Sequence, residues 1–244
     1  MNDENFHGKN WRLHDFVKIH QDDPTKLYPS QEDIVCELQL ATLGDWFPLD
    51  FKINQEQWHE DKALLRASDY YRPFQPKEGI MNDRESVLVY GLEGDTPTAT
   101  TGLTHFEQKH GYRPKESDFN VPTEARHKIK SLHPFFDWFE PFGRTFIITL
   151  NQGGFFGKHR DHWWLSRDTI RLIGFLGKET HTGHLQWEVD GQIMDYMTNH
   201  IYYVNTAKIH RLCAWKHDCD MVVCNVPKTW TNILKLFNVL HNAH

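Results

Sequence analysis

No stretch of about 18 consecutive apolar residues, the length that a membrane-spanning helix needs, occurs in the chain. No membrane span is therefore expected. The N-terminus, MNDENFHGKNWRLHDF, has no apolar core of the kind a secretory signal carries, so the expectation is a cytoplasmic protein that is not secreted. Basic charge is in short supply: 27 Lys and Arg stand against 33 Asp and Glu, a net charge of −6 with His neutral. Binding to phosphate backbones draws on clustered cations, and without them no nucleic-acid partner is expected. Only four cysteines occur, Cys36, Cys213, Cys219 and Cys224, and none is in CxxC spacing. Free, buried thiols in a reducing compartment are expected rather than disulfides. No internal repeat or low-complexity tract interrupts the 244 residues, and no linker separates 81 from 240.

What is present is apolar and aromatic: 39% hydrophobic and 14% aromatic residues, enough for a large core. PSQEDIVCEL (29–38) reads as a helix start. NQEQWHEDKALLRAS (54–68) reads as a helix with Trp58, Ala63 and Leu65 on one side. SVLVYGL (86–92) reads as a strand, and 107–122 as a loop or lid. VPTEARHKIKSLHPFFDWF (121–139) reads as a helix capped by Thr123, with Ile129, Leu132 and Phe136 as its apolar side and Pro134 bending or ending it. From 144 onward the pattern becomes that of strands: RTFIITL, TIRLIGFL, the alternating HLQWEV, then Asp190-Gly191 as a tight turn into QIMDYM, then HIYYVN and CDMVVCNV. WTNILKLFNVL (230–240) closes the chain as an amphipathic helix. Helices first and at least six strands after them predict a mainly β fold with flanking helices, a sandwich or barrel in a helical jacket. A single domain over 1–244 is expected, with an N-terminal elaboration of helices and loops (1–122), a β core (123–227) and a C-terminal helix (228–244).

The stretch GGFFGKHRDHWWL (153–165) places three metal-binding side chains among apolar ones. In extended chain, residues i and i+2 share a face, so His159 and Asp161 can reach one point; His162 has the opposite parity. Seventeen histidines make an HxD pair easy to meet by chance, and the plain alternative is a charged turn beside core tryptophans. A third ligand has to come from another segment, and His210, in NTAKIHRL after HIYYVN, is the best candidate. Two His and one carboxylate on one face of a metal form the facial triad of non-haem Fe(II) oxygenases and leave positions for a chelating cosubstrate and O₂.

The order of strand, L-x-x-G-G, H-x-D, strand with an embedded Arg, W-x-V-D-G hairpin and Y-Y-x-N-T-x-x-x-H, over roughly 123–227, resembles the Fe(II)/2-oxoglutarate-dependent dioxygenases. Within them it is most similar to the aspartyl/asparaginyl β-hydroxylase and proline cis-hydroxylase group. The resemblance implies a double-stranded β-helix (jelly-roll, cupin-like) core, with His159, Asp161 and His210 as catalytic Fe(II) ligands. It also implies 2-oxoglutarate and O₂ as cosubstrates, succinate and CO₂ as products, and a small-molecule or peptidyl amino-acid substrate that is hydroxylated. Relatives often hold the far carboxylate of 2-oxoglutarate with an Arg about ten residues after the distal His. Here that region is HDCDMVV (217–223), without Arg or Lys. Arg171, in mid-strand, is the expected replacement, since an unpaired buried guanidinium is costly; Arg211 and Lys216 are runners-up, and a structural ion pair of Arg171 with Glu188 or Asp195 is the plainer reading. Asn205 and Thr206 are expected to shape the turn before His210. Trp163, Trp164 and Trp187 are candidates for the substrate pocket wall, and Tyr70, Tyr71 and Arg72 for a cover over the substrate. The rival functions are a cupin-like metalloprotein acting without 2-oxoglutarate, a non-catalytic β-barrel binding module and a nucleic-acid demethylase. The sequence does not indicate an oligomeric state.

Overall fold

The computed structural model of the protein describes residues 31–74, 83–99, 107, 111–112, 114–161 and 168–240. Eight strands from residue 145 onward form the centre: β5 (Thr145–Leu150), β6 (Phe155–His159), β7 (Thr169–Leu176), β8 (Leu185–Val189), β9 (Gln192–Ile193), β10 (His200–Val204), β11 (His210–Ala214) and β12 (Cys219–Pro227). They divide between two antiparallel sheets, β10-β7-β12-β5 in the larger and β6-β11-β8-β9 in the smaller. Apart from the β8–β9 hairpin, each step along the chain crosses from one sheet to the other. That alternation is a double-stranded β-helix.

The larger sheet continues past the eight. β1 (Trp46–Lys52) adds to β10, and β3 (Arg84–Gly91), flanked by β2 (Arg72–Pro73) and β4 (Val121–Pro122), adds to β5. The sequence reading missed β1. Pro48 argues against a strand, but β1 is the edge strand of the sheet, with β10 on one side and a single bridge from Leu49 to Leu240 besides, and proline is tolerated there.

The position of each strand explains its residues. β7 lies in the middle of the larger sheet, and every residue of TIRLIGFL is buried. One face packs on helices through Ile170 and Leu172; the other meets the smaller sheet through Ile173 and Phe175. β8 has one face on the core, so Leu185, Trp187 and Val189 are buried while Gln186 and Glu188 are half-exposed. Asp190 (φ 50°) and Gly191 (φ 82°) form the two-residue hairpin expected, with Val189 opposite Gln192.

Among the described residues, five helices make the jacket: α1 (Gln31–Ala41), α2 (Gln55–Ala67), α3 (Glu124–Lys128), α4 (His133–Phe139) and α5 (Trp230–Asn238). They bury Leu40, Trp58, Leu65, Phe136 and Leu236 against the outer face of the larger sheet. In α2 the Asn54 side chain accepts from Gln57 N (3.0 Å) as the N-cap. Its buried side is Trp58, Asp61 and Leu65, while Ala63 is exposed. Asp61 is buried because it accepts from Ser131 N at 2.7 Å.

The single helix expected over 121–139 is instead α3, a 3₁₀ turn (Lys130–Leu132) and α4. Thr123 precedes α3, but its hydroxyl donates to the Leu88 carbonyl (2.7 Å) and makes no cap bond. Pro134 sits in the first turn of α4, where a fixed φ and a missing N–H are harmless. Ile129, Leu132 and Phe136 are all buried, as expected. All four cysteines are free thiols.

Candidate metal centre

β6 and β11 run antiparallel in the smaller sheet, and their register sets His159 directly opposite His210. The two imidazole centroids are 4.2 Å apart. His159 Nδ1 lies 2.7 Å from the Gly157 carbonyl, and His210 Nδ1 lies 3.0 Å from the Lys208 carbonyl. A carbonyl only accepts, so each Nδ1 carries a proton, and Nε2 is the nitrogen left for a metal. Main-chain acceptors of this kind orient metal-binding histidines.

Asp161 follows two residues after the end of β6, and its main-chain N–H donates to the Thr206 carbonyl (3.0 Å). Its Oδ2 accepts from Arg171 Nη2 at 2.8 Å, and its Oδ1 lies 3.9 Å from His159 Nε2. Burial would raise the Asp161 pKa. Arg171, His210, a hydrogen bond from the Thr206 side chain and His159 outweigh it and hold the carboxyl down at about 2. Burial pushes the His210 imidazole below its usual value, against the pull of Asp161, and so favours the neutral ring.

One donor atom from each of His159, Asp161 and His210 lies within 4.8 Å of the others. The set fits a divalent transition metal: two neutral imidazole nitrogens, one ionised carboxylate oxygen, and an outer shell already in place for each ligand.

The three side chains line a cavity of about 600 Å³ between the sheets. Trp187 walls it, buried and stacked on His210 with centroids 5.9 Å apart and planes 6° from parallel. Arg171 lines it too, and its ion-pair partner is Asp161, not Glu188 or Asp195. Arg211 and Lys216 lie off the cavity: Arg211 is exposed and donates to Glu188 (2.7 Å), and Lys216 faces water. Trp163, Trp164 and His162 fall outside the described residues. Thr206 lines the cavity and supports Asp161 directly, a larger part than shaping a turn. Tyr70, Tyr71 and Arg72 do not line it. Tyr70 donates to Glu124 (2.6 Å), Tyr71 is buried under Arg66, and Arg72 pairs with Asp69.

From the N-terminal part, the cavity takes Phe74, Asp83 and Arg84 instead. Arg144, at the start of β5, is a further lining residue that sequence reasoning missed; Glu116 closes it with two bonds of 2.7 and 2.8 Å. A cation just before an apolar strand was the available signal, and Arg144 carried it.

No family model matches the chain, and no curated protein matches it. Solved structures do. A prolyl-4-hydroxylase from Pseudomonas putida is 14% identical with a TM-score of 0.42, covering 79% of this chain and 98% of its own. A prolyl hydroxylase from Trichoplax adhaerens, in complex with a hypoxia inducible factor oxygen degradation domain peptide fragment, is 8% identical with a TM-score of 0.47, covering 92% and 96%. An oxidoreductase of the 2OG-Fe(II) oxygenase family from Burkholderia pseudomallei is 15% identical with a TM-score of 0.38, covering 82% and 92%. At these identities and scores the likeness adds nothing to what the strand order already shows.

Proposed function

We propose that the chain is a non-haem Fe(II)- and 2-oxoglutarate-dependent oxygenase that hydroxylates a C–H of a free amino acid or of a peptidyl side chain. The observation that carries this reading is the convergence of His159, Asp161 and His210 at the edge of a double-stranded β-helix cavity. The two histidines offer Nε2, and the carboxylate has one oxygen committed to Arg171 and one left over. When bound, Fe(II) supplies the centre at which 2-oxoglutarate is oxidised to succinate and CO₂ and O₂ is activated.

The protein's own contribution is orientation and exclusion of water. Gly157 and Lys208 carbonyls fix the two ring orientations, and Arg171 and Thr206 keep Asp161 ionised and pointed inward. Trp187, Phe146, Ile148 and Val223 give the cavity an apolar wall, which lowers the local dielectric around a reactive centre. Arg171 is buried and has guanidinium nitrogens beyond the one given to Asp161, which suits it to hold a carboxylate of 2-oxoglutarate as well.

Purified protein supplied with Fe(II), ascorbate and 2-oxoglutarate should release succinate. His159→Ala and His210→Ala should abolish that release while the protein stays folded. Succinate formation unchanged in either variant would refute the assignment.

A second reading is a metalloprotein of the same fold that works without 2-oxoglutarate. One observation favours it: the cavity-facing residues of β12 are Met221 and Val223, which cannot hold an anion. Under that reading the metal binds, but 2-oxoglutarate neither binds nor stabilises the protein.

A further inference from the structure

We infer that Arg84 is a carboxylate-recognition residue of this cavity, contributed by a strand outside the eight that form the β-helix. Arg84 opens β3, directly opposite Leu150 of β5. With Ser86 and Leu88 it lies on the β3 face aligned with Leu150, Ile148 and Phe146, residues of the core between the sheets. Its side chain therefore enters the cavity, which it lines together with the metal ligands.

Its surroundings are those of a cation awaiting a partner. The guanidinium carbon lies 4.3 Å from the Phe156 ring centroid and 5.5 Å from that of Phe74. Among the described residues no carboxylate stands within ion-pair distance of it; the neighbouring Asp83 attracts it only at longer range. The half-buried setting pushes its pKa down. Two other arginines of the cavity differ: Arg144 is closed by Glu116, and Arg171 has one nitrogen on Asp161.

Two rings recover part of the solvation that a guanidinium loses, but they leave its donor fork unused. A ligand carboxylate entering the cavity would meet that fork with two parallel hydrogen bonds. Phe156 ties the two ends of the cavity together, for its ring also stacks on His159 with centroids 6.4 Å apart. Arg84 and His159 thus contact the same ring, and both line the one cavity.

The carboxylate can come from either of two sources, the far end of 2-oxoglutarate or the second substrate. The assignment rests on the oxygenase reading only for the first. Calorimetric titration of the Mn(II)-loaded protein with 2-oxoglutarate and with 2-oxopentanoate, which lacks the far carboxylate, tests that source. Wild type should prefer 2-oxoglutarate by about tenfold or more, and Arg84→Met should abolish the preference without changing 2-oxopentanoate or Mn(II) affinity. Titration with propionate, with 2-oxoglutarate present, tests the second source: wild type binds it and Arg84→Met does not. Arg84→Lys, which keeps the charge and loses the fork, should recover part of either effect. Loss in either arm supports the inference and names the source. No change in either arm, with thermal melts showing both variants folded, overturns it. Wild type that ignores 2-oxoglutarate but binds propionate through Arg84 overturns the oxygenase reading and leaves the carboxylate site standing.

Discussion

Asp161 divides its two oxygens between different partners, and the division explains why Arg171 matters. One oxygen accepts from Arg171; the other faces His159. Arg171→Met would leave the carboxylate buried without its main counter-charge, so its ionised form becomes harder to maintain. Mn(II) affinity should fall by about 10–100-fold, as it does when an outer-shell partner is removed, and equilibrium dialysis would measure it. The His159–Asp161 pair was legible because the i, i+2 rule needs only local chain geometry. Arg171 was legible as a buried cation but its partner was not, since Asp161 lies ten residues away in the chain. Arg84 was illegible because what distinguishes it is the lack of a partner, which no spacing reveals. The thiols offer a separate check. Burial pushes Cys219 up to about 12 and raises Cys224 as well. At pH 8 neither should react with iodoacetamide in the native protein, while half-exposed Cys213 reacts slowly; mass spectrometry after denaturation should find all four labelled.

Elements whose pattern is local were read correctly, and those set by tertiary demands were not. The Asp190-Gly191 hairpin and the buried β7 follow from turn chemistry and hydrophobic runs. Thr123 makes no cap bond to α3 because its hydroxyl turns to β3, a choice made by the neighbouring strand. One glycine tests this level of organisation. A Cβ on Gly143 would lie 2.4 Å from the main-chain oxygen of Glu116, the residue whose side chain closes Arg144. Gly143→Ala has to push that segment away, and urea unfolding should show a loss of about 1–3 kcal/mol. Gly157, on exposed β6, has no atom within 4 Å of the same position. Gly157→Ala should therefore change stability by less than about 0.5 kcal/mol.

Among the described residues, helices pack on the outer face of the larger sheet of the β-helix. Apart from β8 and β9, the strands pair with partners distant in the chain, so hydrophobic pattern alone could not divide them between two sheets; the resemblance is what implied the double-stranded β-helix. Ligands that bind only the folded state should stabilise it. Mn(II) at 100 times its dissociation constant adds about 2.7 kcal/mol, which for a chain of this size is a rise of roughly 5–10 °C in Tm by calorimetry. His159→Ala should remove that rise. Helices cover the outer face of the larger sheet, while β6 is exposed along almost all its length and its neighbour β11 turns Arg211 to water. An ion gripped by His159 and His210 would rivet these two strands together where β6 ends and β11 begins. Deuterium uptake at the amides of 155–159 and 210–214 should then slow sharply on metal loading, while 219–227, already sealed on both sides, keeps the same slow exchange throughout.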